Sequence, residues 1–245
     1  MKTIYNYRTM WLGAALACAL SLPAHAGLIT NGGFEAGFSS WTRANQLGSE
    51  GTFALQTGTL SPVNGFAVPA PPGGITAAMT DAGGPGSHVL YQDFVVPNSI
   101  VGAYLVNFAL FINNNNGAGA FFTPASLDFA TPALNQQARV DIIKTSANPF
   151  SVAAADILQN LYQTVPGNPL ISGYNNSLVD VTALLLANQG QTLRLRFAEV
   201  DNVAPFNLGV DNVDINQAVP EPSTWIMTLG ALLGVGLLRR RSAAK

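Results

Sequence analysis

Leu193-Arg194-Leu195-Arg196-Phe197 alternates apolar and charged side chains without a break. A period of two marks a strand with one face on a core. The stretch therefore predicts a buried face of Leu193, Leu195 and Phe197 and a wet face of Arg194 and Arg196. It extends to residues 192–200 (TLRLRFAEV), and four further runs share its β-branched and aromatic richness. These are 88–96 (HVLYQDFVV), 103–112 (AYLVNFALFI), 139–144 (RVDIIK) and 208–215 (LGVDNVDI). Turn formers separate them at 69–74 (PAPPGG), 83–86 (GGPG), 113–119 (NNNNGAG) and 166–169 (PGNP). Residues 113–116 read as a solvated hairpin loop. Residues 152–163 (VAAADILQNLYQ) place apolar side chains at helical spacing and predict one short helix, and 179–187 adds a helical turn before Gly190. Many short strands with Gly/Pro turns predict an all-β fold, an antiparallel β-sandwich or jelly roll with one or two short helices.

The ends of the 245-residue chain differ from this middle. Lys2 and Arg8 precede an apolar run at 11–22 (WLGAALACALSL), and Pro23-Ala24-His25-Ala26 follows. Small residues at Ala24 and Ala26 form a signal-peptidase site, so residues 1–26 read as a signal helix that is removed. Cys18 has Ala15 at the third position back, not Leu, which argues against a lipoprotein. At the other end, Pro220, Glu221 and Pro222 precede a transmembrane helix at 224–238, whose run from Trp225 is WIMTLGALLGVGLL. Arg239, Arg240 and Arg241 follow it. The prolines bar helix extension on one side, and the arginines hold the other end in the cytoplasm. Fourteen apolar residues make about 21 Å of helix against a core of roughly 30 Å, a short anchor suited to a transient stop.

The order Pro-Glu-Pro, apolar helix, Arg cluster resembles the PEP-CTERM sorting signal of Gram-negative bacteria, here over residues 219–245. The resemblance implies an exosortase as partner, together with signal peptidase and the inner membrane. It implies an inner-membrane-anchored precursor cut near Pro220-Glu221-Pro222, then a body at the cell surface or released outside.

The body, residues 27–218, is acidic. Gly27 to Glu221 holds all thirteen Asp and Glu against five Lys and Arg, a formal charge of −8, with no basic cluster for nucleic acid. It lacks Cys and keeps one His, His88, and one Trp, Trp41. These leave no thiolate set for zinc, no second imidazole and no Gly-x-Ser-x-Gly elbow, and the reading is that it is not an enzyme. A carboxylate pair acting as a glycoside hydrolase stays open, although Glu199/Asp201 and Asp211/Asp214 are ordinary strand-end spacings.

Asn31-Gly32-Gly33-Phe34-Glu35 with Trp41 opens the body, and Gly209-Val210-Asp211-Asn212-Val213-Asp214-Ile215 closes it. This bracket resembles the galactose-binding-like jelly roll of many carbohydrate-binding modules. The resemblance implies that the first and last strands meet, and that Glu35 and Asp211 hold a structural calcium there. Two carboxylates with backbone carbonyls can supply the six to eight oxygens that Ca²⁺ takes. Without a metal, Asn31-Gly32-Gly33 is a turn and Asp211-Asn212 ends a strand. The expected role is a structural or adhesive component of the surface or exopolysaccharide matrix. The alternative is a carbohydrate-binding module for extracellular polysaccharide, with Trp41 more a packing residue than a platform and Tyr91, Tyr104, Tyr162 and Tyr174 as further aromatics.

Overall fold

The computed structural model describes residues 27–62, 64–80, 83–114 and 119–218. Both terminal segments therefore lie outside the described residues, with Ala24, Ala26, Pro220–Pro222 and Arg239–Arg241. Among the described residues no helix is long and apolar enough to cross a membrane.

Among the described residues, ten strands and one helix run in the order β1 (Thr42–Asn45), β2 (Phe53–Thr57), β3 (Thr76–Thr80), β4 (Gly86–Val95), β5 (Tyr104–Asn113), β6 (Gln136–Lys144), β7 (Ile157–Gln163), β8 (Ile171–Asp180), α1 (Thr182–Ala187), β9 (Thr192–Asp201) and β10 (Asn207–Gln217). They form two five-stranded antiparallel sheets, β1-β4-β9-β6-β7 and β2-β3-β10-β5-β8. The expected β-sandwich is the architecture found.

The inner faces make one core. Leu193, Leu195 and Phe197 of β9 meet Phe108, Leu110 and Val210 from the opposite sheet. Aromatic rings bind the two sheets. Phe34 lies 5.2 Å from Trp41, Trp41 6.0 Å from Phe197, and Phe197 5.8 Å from Phe108, edge on. Such contacts add about 0.5–1.5 kcal/mol each beyond area burial. Trp41 is thus a packing residue, with its Nε1 donating to Asn31 O at 3.0 Å.

Three sequence readings are corrected. The outward face of β9 is not wet: Arg196 is fully buried and Arg194 only 9% exposed. The excursions between β5 and β6 and between β6 and β7 fold back over this sheet, packing Leu127, Phe129, Phe150 and Val152 on Val89, Ala198 and Val200. Residues 152–163 are not helical but enter β7 through a turn in which Ile157 N donates to Ala153 O. Two register shifts interrupt the β6–β7 pairing, at Val140/Asp141 and Ile142/Ile143. Bulges break the period of two. Ile157, Leu158, Leu161 and Tyr162 then fall at a spacing that imitates a helix. Finally, Asn114 is buried, not solvated: its Oδ1 accepts from Gln136 Nε2 at 2.9 Å, and its Nδ2 donates to Ala120 O. Residues 115–118 of that tract lie outside the described residues. The helical turn expected at 179–187 is confined to α1, since Val179 and Asp180 still belong to β8.

Candidate functional site

Glu35 and Asp211, far apart in sequence, meet at one junction. Leu28 N donates to Ile215 O at 2.8 Å and Val213 N to Gly32 O at 3.0 Å, lashing the opening turn to β10. The approach is so close that a Cβ at Gly32 would lie 1.7 Å from Val213 O. Asn31 and Phe34 adopt positive φ, 55° and 56°. The Asn31 amide donates to Gly37 O and Ser39 O, which stabilises that unusual turn.

The segment before β3 lies across both acids. Glu35 Oε1 accepts from Ile75 N and Thr76 N, each at 2.9 Å, while Asp211 Oδ2 accepts from Gly73 N at 3.0 Å and Oδ1 from Asn212 N at 2.7 Å. Gly74 needs its φ of 61°, and a Cβ there would lie 2.3 Å from Glu35 Oε1. Burial pushes the Asp211 carboxyl up to about 6. The Glu35 charge adds to this, while the N–H groups of Asn212 and Gly73 pull the other way. Asp211 is buried while Glu35 is exposed, so the repulsion between them adds only a minor part to this rise. An oxygen-only donor set suits a hard ion such as calcium, with Glu35 and Asp211 as its carboxylates. Among the described residues no group of three or more His, Cys, Asp or Glu gathers, so the remaining oxygens would come from the backbone.

His88 is buried on β4, its Nδ1 2.9 Å from Asn45 Oδ1, opposite Glu199 of β9. Burial pushes it down to about 4, against a hydrogen bond to the Glu50 backbone that raises it, so at neutral pH it carries no charge. Among the buried acids, Asp141 is bound to Arg139 and Arg196 and Asp201 accepts from Gly86 N at 2.8 Å, while the exposed Asp93 pairs with Arg194. Tyr104 is buried, and Tyr91 lies beneath Arg194, whose Cζ is 4.0 Å from the ring centroid.

A second place was missed by sequence reasoning. The excursions covering the β1-β4-β9-β6-β7 sheet leave between them an open cleft of about 420 Å³, lined by Gln46, Ser126, Asp128, Asn148, Phe150 and Ser151 among others. Its walls are held from below. Arg196 Nη1 donates to Pro149 O and Ser151 O, each at 2.7 Å, and Asn135 Nδ2 donates to Ser126 O and Asp128 O. Gln46 Nε2 donates to Asp128 Oδ1, and its Oε1 accepts from Phe129 N at 3.2 Å. Asn148 Oδ1 caps Phe150 N at 2.9 Å. The only sequence signal was an aromatic within the polar run Asn148-Pro149-Phe150-Ser151, which a search for Trp and Tyr passes over.

No family model matches the chain, and no curated protein sequence matches it. Among solved structures, the chain is similar to TmCBM61 in complex with β-1,4-galactotriose at 13% identity, over 79% of this chain and 99% of that one, with a TM-score of 0.44. It is similar to the K2 cleaved adhesin domain of Lys-gingipain at 14% identity, over 76% and 97% of the two chains, TM-score 0.44. A family 16 carbohydrate-binding module-2 shares 14% identity over 78% and 99%, TM-score 0.39. None of these likenesses bears on what this chain binds.

Proposed function

We propose that this is an exported, non-catalytic protein of the Gram-negative envelope that adheres to extracellular polysaccharide through the loop cleft. The observation that carries the reading is the cleft itself. An aromatic ring, two side-chain amides, a carboxylate and hydroxyls converge on walls already fixed by hydrogen bonds. Sugars offer CH faces to rings and hydroxyls to amides and carboxylates, and fixed walls spare the ordering entropy of binding. A volume of about 420 Å³ falls within the roughly 300–1,000 Å³ of small-molecule sites. A glycoside hydrolase would need two facing carboxylates. Asp128 is the one acid among the lining residues.

Phe150→Ala and Asn148→Ala should each weaken retention in affinity gels of galactan, mannan or β-glucan by at least about tenfold, at temperatures where circular dichroism shows each variant still folded. Retention of none of these gels by the unaltered protein, or retention indifferent to both changes, would sink the reading.

Sorting completes the proposal. Signal peptidase cuts after Ala26, the tail holds the precursor in the inner membrane, and an exosortase cuts near Pro220-Glu221-Pro222. Deleting residues 220–245, or neutralising Arg239, Arg240 and Arg241, should move the protein between envelope and medium fractions. Identical fractionation of all three forms counts against the tail as an address. The calcium at Glu35 and Asp211 is structural in this scheme, a staple between the first turn and the last strand.

A further inference from the structure

The inward face of β8 breaks the pattern of the core beside it. Phe108, Leu110 and Ile112 of β5 point into the core, yet their register partners on β8 are Ser177, Asn175 and Ser172. Positions opposite buried Phe and Leu ordinarily carry apolar side chains, and three polar ones add nothing to packing. A register shift between Leu110 and Ile112 produces the arrangement. The extra residue on β8 sends Tyr174 to the outer face, 5.6 Å from Phe111, and turns both the half-buried Ser172 and the exposed Asn175 to the side of Leu110 and Ile112. Bulges re-aim side chains beside binding sites, and local rules tend to fail where function requires it.

β7 and β8 are the end strands of their sheets on the same side of the sandwich, joined by residues 164–170. Between them lies a crevice of about 220 Å³. Leu110 and Ile112, 4% and 5% exposed, form its floor, with Tyr162, Asn168, Asn175 and Ser177 around it. The hydroxyls of Tyr162, Ser172 and Ser177 make no hydrogen bond to another described residue. Asn168 uses its Oδ1 on Val165 N and Asn175 its Nδ2 on Gly173 O, which fixes both amides and leaves the other end of each for a ligand.

We propose that this crevice binds one neutral sugar ring, a chain end or side branch of the polysaccharide. The apolar floor takes a CH face, and the hydroxyls and amides take the ring's hydroxyls. Among the described residues no charged side chain lines it, which selects neutral sugars over uronic acids or charged amino sugars. At about 220 Å³ it lies below the range of sites for larger molecules, so it holds a ring and not a chain. The inference rests on the polysaccharide reading, but the crevice shares no lining residue with the loop cleft.

The test is saturation-transfer NMR on the full-length protein with D-glucose, D-galactose, D-mannose, L-arabinose and D-glucuronate. At least one neutral sugar should receive transfer, and glucuronate should not. Tyr162→Ala and Ser177→Leu should each weaken that binding at least about tenfold, while Phe150→Ala leaves it intact. Ser177→Leu restores an apolar side chain opposite Phe108, so its melting temperature should not fall, which separates lost binding from lost folding. Transfer to no neutral sugar, or transfer that survives both crevice changes, overturns the proposal. Polysaccharide retention sensitive to Phe150 with no monosaccharide signal removes the crevice and leaves the cleft. A monosaccharide signal sensitive to Tyr162 with no polysaccharide retention does the reverse.

Discussion

Asp141→Ala should destabilise the protein by about 3–5 kcal/mol. Asp141 and Arg196 are both fully buried side chains, 2.6 Å apart, and Arg139 grips the same carboxylate through Nε and Nη2 at 2.7 Å. Burial alone would raise the Asp141 pKa. Hydrogen bonds from Arg139 and Asn160 and the charges of both arginines outweigh it and hold the carboxyl below its usual range. Removing the carboxylate leaves two buried guanidiniums facing each other without an anion. In a domain of this size that loss corresponds to roughly 10 °C in melting temperature. Because the folded pKa is depressed, the contribution is complete above the ordinary Asp value and fades as pH falls through the lowered one. Arg196 also holds Pro149 O and Ser151 O, so the same lesion should loosen the cleft wall. Asp141→Leu combined with Arg196→Met should regain part of the stability, since a buried pair can be exchanged for apolar residues, but not the binding. Urea unfolding reads the first effect and affinity gels the second. A loss under about 1 kcal/mol for Asp141→Ala would show that solvent reaches the pair.

The same residues show where sequence reading stops. Five strands, β4, β5, β6, β9 and β10, were legible because each carries a run of β-branched and aromatic residues, and all five occupy interior positions of their sheets. β6 is buried on both faces at every position but Lys144, and carries Gln136, Gln137, Arg139 and Asp141 there beside its apolar residues. β1, β2, β3 and β8 were not legible. TRAN, FALQT and TAAMT are short, and ISGYNNSLVD turns polar residues inward. Arg194 and Arg196 alternate correctly, but alternation says only which face points outward, not whether another segment covers it. That cover comes from residues 119–135 and 145–156, whose path depends on long-range bonds such as Arg196 to Pro149 and Asn202 to Phe129. The junction of Glu35 and Asp211 was legible through a resemblance at both ends of the body. The cleft and the crevice were not, because each is assembled by loops or by a bulge.

Calcium should reverse the pH dependence that Asp211 contributes to stability. In chelator, its folded pKa of about 6 stands above the ordinary value of 3.8. The folded protein therefore binds the proton more tightly than the unfolded chain. Its contribution is complete below the ordinary value and is lost as pH rises through about 6. After a discount for solvent around the exposed Glu35, the loss is on the order of 2 kcal/mol. His88 acts in the opposite sense over an overlapping window: its folded pKa of about 4 lies below 6.5, so its contribution grows as pH rises. The quantity to read is thus the difference between the unaltered protein and Asp211→Asn, in which the His88 contribution cancels. In EDTA this difference should shrink from pH 4 to 6.5. In calcium it should grow over the same interval, because the ion competes with the proton for both carboxylates. At a hundred times its Kd, calcium adds about 2.7 kcal/mol to the folded state, enough to invert the slope. Glu35→Gln should abolish the inversion while leaving the Ile75 and Thr76 amides an oxygen to bond. Curves that coincide in EDTA and calcium would mean that the two acids are tied by the 73–76 amides alone, with no ion between them.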